Sequence, residues 1–537
     1  MYSLYQKSDW TIQYFRAMHP NFHIASHPGV GLNIYSHHEK LFVVDTKYVF
    51  VGGIDLCFGR GEAPGYPIHE PIPERTYFPG IDYSNMRVAD FHDIDKWEKN
   101  TDFEREKVPR VPWRDVHSRL EGPIVHQFKR HFTQYWNYVN VPVTTYPWIL
   151  KTSTDYLQRI NMFTKVTNIK SNTEGYIVKE NRDKDKIRMG LTMNAFPIIR
   201  NPLTTDYECQ SLRSSSYWSL GLPRTNPERS IYDAYIEMIR NAKHFIYIEN
   251  QFFISRTDDK EIIKNEIVNE LAKKIIEKIQ SNQKFLLVVV IPQVPGFAGD
   301  IKGQPGVLLR AMFELYLQTI YKSERSLIRQ ISKVTPNWEN YVKIFGLRSH
   351  GVLSGVPHTE IIYVHSKLMI VDDDIAIMGS ANINDRSLLG DRDSEIAVKF
   401  FQHYKSSTST LAGIPFSKSP GVHDLRKRIW KSLFGLTDPN LLDDPLNPAT
   451  IATVDTQAAI NDKVYWELFN DFPHDSLKYV KTIPERRAPP MDEYLREIQK
   501  VKGLHVNYPL LFLDSEDIKN YGYLDIVADI MPVKLLA

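Results

Sequence analysis

The chain has 537 residues, which is more than one domain of ~100–200 residues usually contains. Its 42% hydrophobic and 24% charged residues are typical of a globular protein and exclude a disordered one. The 66 basic and 64 acidic side chains leave a formal net charge of +2, so no overall field attracts a nucleic acid or an anionic membrane. Cys57 and Cys209 are the only cysteines, which excludes a disulfide framework and indicates a reducing, cytoplasmic compartment.

The sequence predicts no segment that crosses a membrane. The longest apolar run, residues 285–291, is about a third of the length that a spanning helix needs and predicts a buried strand. The residues after Met1 are polar and do not resemble a signal peptide. We therefore expect a cytoplasmic protein whose contact with membranes is peripheral.

The first predicted strand follows an HxKxxxxD motif near the start of the chain. The fixed positions of the motif are His38, Lys40 and Asp45. Residues 41–44 form an unbroken apolar run, which predicts a strand buried on both faces, and a small-residue turn with Gly53 and Asp55 follows. The Pro-rich and charged residues 61–110 then predict a long insertion.

The middle of the chain predicts alternating helices and strands. Residues 230–242 and 261–280 have helical periodicity, and the runs 245–253 and 285–291 predict strands. This βαβ order indicates an α/β fold. The aromatic residues Tyr247, Phe252 and Phe253 are either core residues or a wall of a substrate site.

The same HxKxxxxD motif recurs late in the chain, at His365, Lys367 and Asp372. A small-residue turn follows it at the same distance as in the first copy, and Ser380 and Asn382 take the places of Gly53 and Asp55. One such motif arises often by chance, but two copies with a shared downstream turn indicate a duplicated pair of half-sites. Residues 405–422, which follow, predict a loop.

The two motifs carry the residue types that cleave a phosphodiester without a metal. Side chains alternate along a strand, so each histidine faces the same way as the lysine two positions later. Two histidines provide a nucleophile and a proton donor, while the lysines balance charge on the non-bridging oxygens. Ser380 and Asn382 are predicted to add neutral donors to those oxygens. Asp45 and Asp372 lie at an odd spacing, so we expect them to form structural salt bridges.

Each catalytic histidine also needs an acceptor that fixes its tautomer. Glu395, at the head of an apolar run after the second motif, is one candidate. Asp115, which opens a strand-like stretch after the first motif, is its expected counterpart. The run Asp372–Asp374 resembles a calcium motif but lacks the EF-hand spacing, so it predicts a solvated turn.

Together the two motifs and the mid-chain sequence Ile246-Tyr247-Ile248-Glu249-Asn250-Gln251 resemble those of the HKD superfamily, and within it the eukaryotic-type phospholipase D branch. The resemblance implies two duplicated α-β-α sandwich lobes with mixed β-sheets and an active site at their pseudo-twofold interface. It also implies that His38 is the nucleophile and His365 the acid and base. We predict an N-terminal lobe over residues 1–205 that is truncated at its start, a C-terminal lobe over 206–484, and an extension over 485–537 that packs on the core.

The activity that this resemblance implies is hydrolysis of phosphatidylcholine to phosphatidic acid and choline, with transfer to primary alcohols. No cofactor is expected for the chemistry, and the expected partner is a phospholipid at a membrane surface. A basic stripe (Lys322, Arg325, Arg329 and Lys333) is either a solvated helix face or a site for an activating anionic lipid such as a phosphoinositide. A nuclease or other phosphodiesterase of the superfamily is an open alternative, although no nucleic acid is expected, and so is an inactive lipid-binding fragment.

Overall fold

The computed structural model describes residues 8–25, 35–70, 77–85, 104–139, 207–223, 225–257, 263–297, 301–303, 306–402 and 406–516. The α-helices span Ser8–Met18, Ile124–Val139, Tyr217–Leu220, Ser230–Asn241, Ile267–Gln280, Val307–Leu317, Leu327–Ser332, Asp385–Leu388, Pro420–Phe434, Pro439–Asp443, Pro448–Phe469 and Met491–Glu497. Among these helices, none combines the length and the apolarity needed to cross a membrane.

The strands of the described part are β1 (Leu41–Val44), β2 (Tyr48–Gly52), β3 (Trp113–Arg114), β4 (His117–Glu121), β5 (Glu208–Ser215), β6 (Glu228–Arg229), β7 (Phe245–Asn250), β8 (Leu286–Val290), β9 (Val342–Leu353), β10 (Val356–Ile361), β11 (Tyr363–Val364), β12 (Lys367–Val371), β13 (Ile375–Gly379), β14 (Glu395–Phe401), β15 (Ser406–Leu411), β16 (Ile414–Lys418) and β17 (His505–Asn507). Short 3-10 helices span Gly80–Asp82, Trp338–Asn340, Val480–Thr482 and Ile498–Lys500, and a π-helix spans Gln318–Lys322.

A large mixed sheet organises the second half of the chain. Its strand order is β10-β9-β8-β7-β12-β13-β14-β5-β6, and β17 also pairs with β9. β8 runs parallel to β7 and to β9, as the predicted βαβ order requires, whereas β7 pairs with β12 in antiparallel fashion, as do β12 with β13 and β13 with β14. The α/β class with mixed sheets is therefore confirmed.

Apolar cores cover both faces of this sheet. Ile246 and Ile248 of β7 pack in one core with the helices Ser230–Asn241 and Ile267–Gln280. Phe245 and Tyr247, which alternate with them, pack in a second core with the helices after residue 420. β8 is buried along its whole length, so the prediction of a buried strand is confirmed. These layers form the α-β-α sandwich of the second lobe.

The first half contributes a smaller antiparallel sheet in the order β1-β2-β4, next to the helix Ile124–Val139. β2 packs against β13 and β14 of the large sheet, and its buried Val49 and Val51 join the second core. The expectation that the first motif strand is buried on both faces is wrong, because Leu41–Val43 are half-buried and Val44 is exposed. The predicted lobe boundary at residue 205 lies outside the described residues.

Several local predictions differ from the structure. The helix predicted over 261–280 begins at Ile267 within the described part. The predicted loop 405–422 contains the hairpin β15–β16 and the first turn of the helix Pro420–Phe434. The basic stripe does not lie on one helix, because the backbone is extended at Ser323 and a new helix begins only at Leu327. In the first and third cases a helical sequence period continues past the point where the backbone leaves the helix.

Candidate active site at the junction of the half-sites

The main chain ties each HxK motif to the opposite half of the protein. His38 N donates to Ser394 O at 3.0 Å, and Ser394 N donates to Ser36 O at the same distance. In the other half-site, His365 N donates to Arg114 O at 2.7 Å, where the short strands β11 and β3 pair in parallel. Both histidines therefore lie at the junction of the two halves.

Hydrogen bonds between side chains cross the same junction. His38 Nδ1 lies 2.9 Å from Glu395 Oε1, and His365 Nδ1 lies 2.8 Å from Asp115 Oδ2. The two carboxylates are those that the sequence analysis selects as acceptors, but each serves the histidine of the other half-site. When Nδ1 donates to a carboxylate, Nε2 of the neutral imidazole carries a lone pair that faces away from it.

Hydrogen bonds from neighbouring residues fix both acceptors. Ser380 Oγ and Ser387 Oγ each donate to Glu395 at 2.6 Å. Ser380 is fully buried, so its predicted role as a donor to substrate oxygens is wrong: its hydroxyl holds Glu395 instead. Ser387 is a site residue that the sequence analysis missed, although it stands in the turn that continues from Asn382.

Asp115 also accepts hydrogen bonds from its neighbours. Trp113 Nε1 donates to Asp115 Oδ2 at 3.2 Å, and Val116 N donates to Oδ1 at 3.1 Å. Gly53 allows this approach, because a Cβ atom at that position would lie 1.9 Å from Asp115 Oδ1. Gly53 is therefore a spacing residue of the first turn, where only glycine leaves room for the carboxylate.

Both lysines are buried and tied to the motif backbone. Lys40 Nζ donates to His38 O at 2.8 Å and lies 2.9 Å from Asp55 Oδ1. Lys367 Nζ donates to His365 O and, at 2.9 Å, to Gln251 Oε1. Gln251 was not predicted as a site residue; the signal for it was its place in the mid-chain sequence after β7.

Burial and the two ammonium groups keep the imidazoles neutral. Burial, followed by Lys40 and Lys367, lowers the pKa of His38 to about 3. Burial and Lys367 lower the pKa of His365 well below its ordinary value. Burial also lowers the pKa of Lys367 to about 7, against the attraction of Asp115, and raises the pKa of Glu395 to about 8. Burial at the junction thus disfavours the charged forms of both histidines, Lys367 and Glu395.

A family model described as phospholipase D matches residues 3–485. The chain belongs to the phospholipase D family. Phospholipase D from Phytophthora infestans is 32% identical over 86% of this chain and 30% of its own length. Phospholipase D2 from Bos taurus is 31% identical over 93% and 53%, and phospholipase D1 from Schizosaccharomyces pombe (strain 972) is 35% identical over 79% and 29%.

The chain spans about half, or less, of the length of these phospholipase D relatives. Among solved structures, phosphatidylserine synthase from Haemophilus influenzae Rd KW20 aligns at 12% identity with a TM-score of 0.36, over 74% of this chain and 65% of that one. That score is too low to bear on the fold.

The aspartates of the two phospholipase D motifs lie away from the imidazoles and differ from each other. Asp372 is buried and accepts hydrogen bonds from the backbone N–H groups of residues 243–245, at 2.7 to 2.8 Å. Asp45 is exposed, in a left-handed conformation with φ of 51°. The expectation of a structural role for Asp372 agrees with this geometry, but backbone bonds replace the predicted salt bridge because its strand-end turn meets the start of β7.

Two further interpretations change. Asp373 is buried and its carboxylate lies 2.7 Å from Arg426, so the turn Asp372–Asp374 is not solvated. Tyr247 and Phe253 are fully buried, and the Tyr247 hydroxyl donates to Glu249. These two aromatic residues therefore belong to the core and do not form a wall of a substrate site. Within the described residues, no group of three His, Cys, Asp or Glu side chains could hold a metal ion.

Proposed function

We propose that this chain is the catalytic part of a phospholipase D that hydrolyses phosphatidylcholine to phosphatidic acid and choline through a phosphohistidine on His38. The observation that carries the proposal is that each histidine bonds a carboxylate from the other half-site, His38 with Glu395 and His365 with Asp115. Each Nδ1 is occupied, so two Nε2 atoms remain for one phosphodiester. One serves the attack on phosphorus and the other serves the leaving group.

In the first step, the lone pair of His38 Nε2 forms a bond to phosphorus while the bond from phosphorus to the choline oxygen breaks. His365 Nε2 donates the proton that the choline oxygen needs to leave. The imidazole of His38 becomes positively charged as it is phosphorylated. Burial raises the pKa of Glu395 to about 8, but the positive imidazole, at 2.9 Å, favours its ionised form, so the carboxylate compensates that charge.

In the second step, His365 Nε2 takes a proton from water, and the water oxygen attacks phosphorus as the bond to His38 breaks. The products are phosphatidic acid and free His38. A primary alcohol that replaces the water yields a phosphatidyl alcohol by the same proton transfer. Lys40, Lys367 and the amide of Asn382 are proposed to balance charge on the non-bridging oxygens.

The low pKa of His365 fits this cycle once an anion is present. Burial and the positive charge of Lys367 disfavour its protonated form. A phosphodiester bound beside the lysines adds a negative charge, which opposes that effect and favours a protonated His365. Substrate binding therefore supplies the charge that makes His365 an acid.

The finer parts of the proposal rest on the family and on charge. The phospholipase D relatives support a lipid substrate, and the net charge of +2 opposes the alternative of a nuclease, which needs a basic groove. The proposal also includes peripheral membrane binding from the cytoplasm and activation by an anionic lipid such as a phosphoinositide. It divides the chain into lobes 1–205 and 206–484 with an extension 485–537.

Transfer to an alcohol tests the proposed function. The protein is incubated with phosphatidylcholine vesicles and a short primary alcohol, and the lipid products are separated. We expect a phosphatidyl alcohol together with phosphatidic acid, and neither from the His38→Ala variant. Release of diacylglycerol, or cleavage of nucleic acid with no lipid product, would contradict the proposal.

A further inference from the structure

Asp55 is an acidic side chain at the junction that holds no histidine Nδ1. Its Oδ1 lies 2.9 Å from Lys40 Nζ, and its Oδ2 lies 3.9 Å from His365 Nε2. The opposite ring nitrogen of His365 is bonded to Asp115. Asp55 therefore stands on the reacting side of His365, and its side chain is 31% exposed and within reach of a ligand.

The repeat shows what is unusual about this position. Asn382 occupies the matching place in the second half-site, and its neutral amide can donate to a phosphate oxygen. Burial alone would raise the pKa of Asp55, but Lys40 and His365 together lower it by more than burial raises it. The net pKa is below its ordinary value, and the carboxyl is ionised. An ionised carboxylate has no proton to donate and repels a phosphate. Its place beside the site needs a different explanation.

The charges around the histidines suggest one. Lys40, at 2.9 Å, and Arg60, at 3.6 Å, are cations that pair with the Asp55 carboxylate. A phosphodiester that binds Lys40 takes away the main partner of Asp55. Arg60 then remains near the carboxylate, but at 3.6 Å it is a weaker partner than Lys40, so a further positive charge beside Asp55 is favoured. A bound substrate can supply that charge at the exposed part of the side chain.

We propose that Asp55 binds the cationic head group of the lipid and so selects substrates whose leaving alcohol carries a positive charge. This inference rests on the proposed function, in which His365 protonates the head-group oxygen. The ammonium group of choline is two carbons from that oxygen, on the side of His365 where Asp55 lies. A neutral or anionic head group leaves Asp55 with Arg60 as its remaining cation, and an anionic one is also repelled by the carboxylate, which disfavours its binding.

The test compares two monomeric short-chain lipids, dihexanoyl phosphatidylcholine and dihexanoyl phosphatidylglycerol, so that vesicle surface charge plays no part. The measured quantity is the ratio of their kcat/KM values. Asp55→Asn removes the charge and is expected to reduce this ratio by about tenfold, mainly through KM for the choline lipid. Asp55→Glu is expected to retain much of the preference. Glu485→Gln is the matched control, since it removes one charge from an exposed ion pair with Lys302.

An unchanged ratio in Asp55→Asn, with both lipids slowed equally, would overturn the inference. Failure of the unaltered protein to cleave either lipid would instead overturn the proposed function. If Asp55→Asn is too slow to assay, titration calorimetry with phosphocholine and glycerol phosphate decides the question. The unaltered protein is expected to prefer phosphocholine and the variant to lose that preference, whereas a retained preference would contradict the role of Asp55.

Discussion

Glu395 accepts a hydrogen bond from His38 at 2.9 Å, although 357 positions separate the two residues in the chain. The reciprocal bond joins His365 to Asp115. Each half-site therefore supplies a histidine to the junction and an acceptor to the other histidine. Neither half has a complete histidine–carboxylate pair without the other, so the candidate site needs both halves.

Glu395→Gln tests the acceptor of His38. The amide retains the shape of the carboxylate, but it cannot compensate the charge of a phosphorylated imidazole, and its NH₂ group can reverse the tautomer of His38. We expect kcat to fall by on the order of 10²- to 10⁴-fold with little change in Tm. Asp424→Asn is the control, because it removes one charge from an exposed ion pair with Arg428. Near-normal turnover of Glu395→Gln would exclude the acceptor role.

Lys367→Met tests whether this lysine acts on the phosphoryl group or only on the fold. Loss of one charged donor from a dry site costs ~10²–10³ in rate. Stability should be unchanged or higher, because burial already disfavours the ammonium form of Lys367. We expect loss of activity with an unchanged or raised Tm; unfolding of the variant, or near-normal turnover, would make the lysine a structural residue.

Asp372→Asn is expected to behave in the opposite way. Its carboxylate accepts three backbone N–H groups, and an amide would turn an NH₂ group toward one of them. We expect a loss of about 1–3 kcal/mol of unfolding free energy. Thermal or urea unfolding measures it. A variant with unchanged stability but abolished turnover would place Asp372 in the chemistry instead.

The pH dependence should report the depressed pKa of Lys367. Because the protonated lysine is the active form and its pKa is about 7 in the empty site, kcat/KM should fall as the pH rises through about 7. In Lys367→Arg the guanidinium stays charged, so this limb should move to higher pH. The contribution of Lys367 to stability should rise with pH between about 7 and 10.5, where the unfolded chain binds the proton and the folded chain does not. If the fall of kcat/KM above pH 7 is unchanged in Lys367→Arg, a group other than Lys367 causes it.

The sequence was sufficient to predict which residues meet at the candidate site because a repeated motif with a fixed spacing is visible without any structure. His38, His365 and both lysines were found in this way, and Glu395 and Asp115 were found as the heads of apolar runs. The exchange of acceptors was not predictable, because it depends on how the two halves pack. Strand periodicity says which way a side chain points, but not which chain segment it meets.

Other misses have the same origin. Ser380 was expected to face the substrate, but the close contact of β13 with β14 brings its hydroxyl to Glu395. Gln251 was visible only as a polar residue after an apolar strand, and its role appears when β12 pairs with β7 and brings Lys367 next to it. The basic residues between 322 and 333 are spaced as on one helix, but the backbone leaves the helical conformation between them. Their spacing alone does not reveal that interruption.

Chelation tests the expectation that the chemical step needs no divalent metal. A monomeric short-chain phosphatidylcholine is used, so that metal effects on a membrane surface do not enter. We expect the rate to be retained in excess chelator, because Lys40 and Lys367 already balance the charge of the phosphoryl group. Complete loss of the rate, restored by zinc or magnesium, would contradict this account.

The central claim is that His38 and His365 act on one phosphorus atom, with His38 as the nucleophile. A short-chain phosphatidyl p-nitrophenol is the best substrate for testing it, since its leaving group needs no proton donor. In His365→Ala the first step should proceed and the second, which lacks its base, should stall. Mass spectrometry of an alkaline peptide digest should find the phosphatidyl group on His38. An adduct on any other residue, or a burst of p-nitrophenol that persists in the double variant His38→Ala/His365→Ala, would contradict the account.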